Sequence, residues 1–341
     1  PNFCMKESQL LTQLQACLAR GDVPKMLRLA QKMVRLYPRN PLGWKSMGLA
    51  QQRSGARQAA IDAFMQAIAL HPQDPANHNS LGNLMLDAGL QAEAIAHFEK
   101  ALQLDPGYVL ARYNLAEVRR VQGQWALAQQ HYQHALTRRP EFAEALCGLG
   151  ELDAVQNRPD LALLNFQQAC QLAPLLPRAQ LGRANALKSL DKTDEAIVVC
   201  QQLLAEHPQN AKAHHLLGTL YYEVGKLQDA TQALLQATAL PQASAASVWW
   251  LAMCQLNQTY CDASYDPTTP TRQHAALAML EQAFQAGGPH ADAGPDCVGL
   301  VQPFYLAYRA ANNRDVLARY GRLCADIMGR WQKQQGLVAH V

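Results

Sequence analysis

A few groups of residues in this chain have types and spacings that could do chemistry. His131 and His134 stand three apart, which puts two imidazoles on one helix face where they could share a metal. No third ligand lies near them in the chain, so they read as solvated histidines, and neither metal nor cofactor is expected. His214 and His215 are adjacent and point different ways on a helix. Lys25, Arg28, Lys32 and Arg35 step by three and four, so they form one basic stripe. That stripe reads first as a solvated outer face, and second as a dock for an acidic partner or membrane surface. No aromatic residue is interleaved before Tyr37, which argues against nucleic acid. The amides Asn79, Asn83, Asn114 and Asn185 recur along the chain, and an amide both donates and accepts along a peptide backbone. The motifs GxGxxG, GxxxxGK[ST], GxSxG and HExxH are missing, so no catalytic residue is expected.

The elements that must carry these residues are helical. Of 341 residues, 49% are apolar and 17% charged, enough for a packed core. Ile occurs only five times among abundant Ala, Leu and Gln, which favours helix over strand. The net charge of +3 does not call for nucleic acid, but residues 1–60 hold ten Lys/Arg against two Asp/Glu, and the rest is net acidic. Nine cysteines include no CxxC pair and read as reduced, mostly buried thiols. There is no secretory leader pattern and no apolar run long enough to span a membrane, so a cytoplasmic protein is expected.

Position and spacing then organise the whole chain. Proline recurs at 38, 72, 106, 140, 174 and 208, always 34 residues apart. Gly48, Gly82, Gly150 and Gly218 share one slot, with Ala116 and Ala184 in the other two units. Gly55, Gly89, Gly123 and Gly225 share a turn slot. Ala60, Ala94, Ala128, Ala162, Ala196 and Ala230 share another, followed four residues on by Phe64, Phe98, Tyr132 and Phe166. Each unit is a helix A and a helix B. The small slot lets them approach, the turn glycine ends helix A, and the Ala/aromatic pair fills the gap. Asn40-Pro41 and Asp74-Pro75 place a cap and a first-turn proline at the start of helix A. Six regular units span 41–244. A degenerate first pair occupies 1–40. A degenerate last unit covers 245–288, its turn swollen into a loop at 257–272. Two further helices cover 296–333.

This pattern resembles the tetratricopeptide repeat (TPR). The resemblance implies an all-α fold, a right-handed superhelical solenoid whose A helices line a concave groove, and a protein or peptide segment as partner. In such proteins fixed slots of helix A face the groove. They are filled here by Lys45, Asn79, Asn83, Tyr113, Asn114, Glu117, Arg120, Asn185, Lys188, His215 and Tyr222. The carboxylate clamp of some family members does not transfer, because its aligned positions Asn79, Asn83, Asn114, Glu144 and Gly148 hold no cation.

A second resemblance lies in the tail. Phe304, Leu306, Ala307, Tyr308, Asn312, Asn313 and Arg314 match the "F-x-L-A-Y" helix and "N-[DN]-R" turn of SPINDLY-like and O-GlcNAc-transferase-like bacterial proteins. There these elements join the repeat array to a two-lobed catalytic half. The resemblance implies a substrate-recruiting arm of a protein O-glycosyltransferase, with the nucleotide-sugar site beyond Val341. The alternative is an independent adaptor in a multiprotein assembly such as envelope or pilus biogenesis. Nothing in the sequence sets an oligomeric state.

Overall fold

The computed structural model describes residues 7–261, 269–285, 291–297 and 314–334. All regular structure among them is helical. A first pair comprises α1 (Glu7–Arg20) and α2 (Val23–Leu36). Six A/B pairs follow: α3 (Pro41–Arg53) with α4 (Arg57–Leu70), α5 (Pro75–Asp87) with α6 (Gln91–Leu104), and α7 (Val109–Val121) with α8 (Trp125–Arg138). Then come α9 (Ala143–Val155) with α10 (Pro159–Leu172), α11 (Pro177–Ser189) with α12 (Thr193–Glu206), and α13 (Ala211–Glu223) with α14 (Leu227–Ala239). The last pair is α15 (Ala245–Cys261) and α16 (Thr269–Ala283), followed by the short α17 (Gly294–Cys297) and by α18 (Arg314–Gln334). By contacts the chain forms two units, Pro1–Leu152 and Asp153–Val341.

In the first unit each regular pair is locked by a small residue under a ring. A Cβ added to Gly82 of α5 would meet the Phe98 ring of α6 at 2.5 Å, so the two helices approach only because that side chain is missing. Ala94, Phe98 and Ala101 are wholly buried, with Ala111 and Leu115 of the next A helix packed on them. Asn40 and Asp74 cap α3 and α5 by accepting from the amides of Leu42 (2.8 Å) and Ala76 (3.0 Å), with proline in the first turn of each helix. Gly89 ends α5 at φ +79°, in the left-handed region.

A device not anticipated from the sequence recurs at the fourth position of the A helices. The Trp44 indole donates to the Pro38 carbonyl (2.8 Å) and Arg112 to that of Pro106 (2.7 Å). Gln180 donates to the Pro174 carbonyl, and His214 Nε2 lies 2.9 Å from that of Pro208. His78 stands at the same position, and the nearby Pro72 carbonyl acts to raise its pKa. The B helix leaves these carbonyls unpaired as it ends, and an N–H side chain six residues on satisfies them. Trp44, His78, Arg112, Gln180 and His214 stand at the repeat interval, with Leu146 the exception. The signal was therefore present, hidden because four kinds of side chain share only an N–H.

In the second unit the turn slot lacks glycine in two pairs. Asn157 and Asp191 occupy it at φ +57° and +58°, the residue types that best tolerate that conformation after glycine. Trp249 is fully buried against Phe284 (5.7 Å) and Tyr320 (6.0 Å), so α18 closes the last pair through Val316, Tyr320, Leu323 and Ile327. Arg319 of α18 forms a forked ion pair with Glu281 of α16.

The expectation of a loop at 257–272 is corrected at both ends. α15 continues to Cys261 and α16 begins at Thr269. Pro270 sits in the first turn of α16, where a missing N–H breaks no helical bond, so Thr269-Pro270 starts a helix rather than stopping one. The expected helix at about 297–311 and the tail motif Phe304–Asn313 lie outside the described residues.

Candidate binding site on the A helices

The A-helix residues predicted to face a partner fall into two sets. In the first unit nearly all are tied to protein. Asn114 Nδ2 donates to Asn79 Oδ1 at 2.9 Å, and Asn79 is 6% exposed. Lys45 pairs at 2.7 Å with Asp74, the residue that caps α5. Glu117 accepts from the Tyr132 hydroxyl (2.6 Å) and from Arg120 (2.9 Å), and Arg120 reaches Glu151 of α9 at 3.3 Å. Burial opposes the Arg120 charge, but the hydrogen bond and charge of Glu117 and the charge of Glu151 outweigh it and hold the guanidinium protonated. Tyr113 packs against the Phe142 ring at 5.0 Å and the Tyr132 ring at 6.0 Å. Asn83 is the exception: it is half-buried and has no hydrogen-bond partner among the described residues.

In the second unit the predicted residues open onto a pocket of about 410 Å³ between α11, α13 and α15. Asn185, Lys188 and His215 line it, together with Lys212, Ser244 and Trp250. Lys188 is fixed by Glu223 at 2.8 Å, whereas the exposed Lys212 has no ion-pair partner among the described residues. Asn185 bonds its own helix at Leu181 O (3.0 Å), and the amide remains exposed. Tyr222 stands outside the pocket and buttresses the Trp250 ring edge-on at 5.2 Å.

His215 is held by Ser247 Oγ at 2.9 Å, which in turn lies 2.9 Å from Ser244 Oγ. Burial, and then the Lys188 charge, push the His215 pKa below its ordinary value. In the neutral ring one nitrogen donates and the other accepts, and the Ser247 hydroxyl can serve either role toward Nδ1. A Ser–His contact invites a nucleophile reading. Ser247 lines the pocket but is only 1% exposed, and its hydroxyl is already engaged by His215 and Ser244, so the pair serves to link α13 to α15.

Other candidates lie elsewhere. Lys25, Arg28 and Arg35 are exposed along α2, with Lys32 half-buried, opposite the core residues Met26, Ala30 and Met33. His131 is depressed by burial and by Arg112, Arg119 and His134, an unfavourable setting for a cation. Among the described residues no group of three metal-ligating side chains occurs, and no helix is long and apolar enough to cross a membrane.

Sequence reasoning missed Trp250 and Ser247 as neighbours of this pocket. The Trp249-Trp250 pair was visible, but consecutive helix residues differ by about 100° in direction. Only the packing decides that Trp249 goes into the core and Trp250 to the pocket.

Two tetratricopeptide-repeat family models match the chain, one over residues 46–109 and 113–177 and the other over 187–253, together more than half of it. The chain is a tetratricopeptide-repeat protein. No curated protein matches it. Among solved structures, this TPR chain is similar to one in the APC/C hetero-tetramer Cut9–Hcn1, at 18% identity and TM-score 0.64. That match covers 74% of this chain and 49% of the other, so this chain spans about half its length. A tetratricopeptide repeat protein from Parabacteroides merdae matches at 18% identity and TM-score 0.55, covering 73% of this chain and 98% of that one. The type IV pilus biogenesis factor PilW matches at 22% and 0.54, covering 63% and 98%. At these identities the likeness shows the shared repeat fold.

Proposed function

We propose that this TPR chain is a non-catalytic scaffold that holds an extended segment of another protein against its A helices, with the α11–α13–α15 pocket as the anchor. The observation that carries this reading is the pocket itself. It gathers an exposed amide (Asn185), an unpaired cation (Lys212), an imidazole (His215) and an aromatic wall (Trp250). A main chain with an acidic or polar side chain supplies what those groups lack: acceptors for the donors and a flat face for the ring. In the first unit the equivalent groups already satisfy one another, so binding there rests on Asn83 and on the outer surface of the ion-pair network.

For the larger setting we favour the recruiting arm of a SPINDLY-like protein O-glycosyltransferase, supported by the tail residues Phe304–Arg314. A free-standing adaptor is the alternative. Isolating the full-length protein and assaying protein glycosylation with a labelled nucleotide-sugar separates them. A cytoplasmic setting is supported by the cysteines, since Cys17, Cys200 and Cys254 are buried thiols outside any disulfide.

The binding site is tested by photocrosslinking. A benzophenone residue at Asn185 is expected to capture the partner, and one at Glu195, exposed on α12, is not. Equal capture at both sites, or capture at Glu195 alone, would sink the assignment.

A further inference from the structure

His78 of α5 and His97 of α6 face each other in the first unit, apart from every site described above. Their Nδ1 atoms are 3.4 Å apart, with ring centres at 5.6 Å and planes inclined by 30°. An N–H hydrogen bond normally closes to about 2.7–3.2 Å, so this contact is long for one. Two nitrogens on one tetrahedral zinc, each at about 2.0–2.1 Å, stand about 3.3–3.4 Å apart, which is the separation found. The ring torsion of histidine is soft, so the two Nδ1 atoms can swing toward one shared point once neither carries a proton.

We infer that His78 and His97 form a two-imidazole site for a zinc-type divalent ion, clamping helix A to helix B of the second regular repeat, with water completing the coordination. Two further features support it. His78 is 8% exposed, and the Pro72 carbonyl lies beside its ring, the kind of backbone group that orients a ligating histidine. His97 is half-buried, which leaves an entry path.

The charged groups around the pair are few. Lys100, one turn beyond His97 on α6, opposes a cation, and Asp74 at the start of α5 favours one. Glu93, exposed one turn before His97, is the nearest carboxylate on that face of α6. Binding needs no net proton loss. Whichever Nδ1 carries the proton in the free pair gives it up, and the same ring takes one at Nε2.

The test is calorimetric titration of the untagged chain with zinc chloride at pH 7.5. One ion per chain at micromolar affinity is expected, weakened at least about tenfold by His78→Gln and by His97→Gln, and unchanged by His134→Gln. Glutamine suits position 78 because Gln180 makes the equivalent bond to its proline. Should His78→Gln still fail to fold, His97→Gln decides alone. Imidazole nitrogen NMR of the wild type is expected to show zinc shifting Nδ1 of both rings. Binding that survives His97→Gln, or no binding below millimolar zinc, overturns the proposal.

Discussion

The Asn114 side-chain amide donates to Oδ1 of Asn79 across 2.9 Å and so ties α7 to α5. Residues that a sequence alignment offers to a ligand are here partners of one another. Asn114→Ala would leave a buried Oδ1 on Asn79 unsatisfied, at a cost of about 1–3 kcal/mol. Replacing both with Ala is expected to cost less than the sum of the two single alanine variants, because the double leaves no unsatisfied partner. Denaturant unfolding of the two singles and the double measures this, and strict additivity would contradict it.

Gly182 shows the same economy of space in the second unit. A Cβ there would sit 2.2 Å from the Phe166 ring of the preceding B helix. Gly182→Ala should destabilise by about 1–3 kcal/mol through overpacking. Phe166→Leu in the same background should recover part of the loss, as read by thermal melting. A neutral Gly182→Ala would show that the two helices can part freely.

Asp191 holds the left-handed turn slot that glycine fills in five other pairs. Asp191→Gly removes the Cβ conflict of that conformation, so it should stabilise by up to about 1 kcal/mol, while Asp191→Val should destabilise. The midpoint of chemical denaturation distinguishes the two directions.

His215 makes stability depend on pH. Its folded pKa lies below the ordinary value of about 6.5 because of burial first and Lys188 second. The unfolded chain therefore takes up a proton that the folded chain refuses. Stability is complete above about pH 6.5 and falls as the pH drops toward the lowered folded value. Unfolding midpoints at pH 7.5 and 5.5 should differ less in His215→Gln than in wild type. The same slope in both would remove His215 from the account.

Much of this protein was legible as sequence. The 34-residue step from Pro38 to Pro208 places the helices. The small slot and the aromatic four residues after the alanine name the core, and Asn40 and Asp74 mark helix starts. These are local rules, set by propensity, capping and close packing within one repeat, and a periodic sequence states each of them several times. Even the turn role of Asn157 and Asp191 was implied by position.

Tertiary structure decided what the polar residues do. Lys45, Asn79, Asn114, Glu117 and Arg120 look like a ligand-binding strip when each helix is read alone. Their fates depend on residues 15 to 35 positions away, such as Asp74, Tyr132 and Glu151, which only packing brings within hydrogen-bond reach. The same holds for the pocket at Lys212 and Trp250, and for the His78–His97 pair, whose members sit on different helices. Periodicity fixes which face a side chain leaves from. Whether it meets water or another side chain is set by the neighbouring helix, because polar groups pair wherever packing has taken their water away.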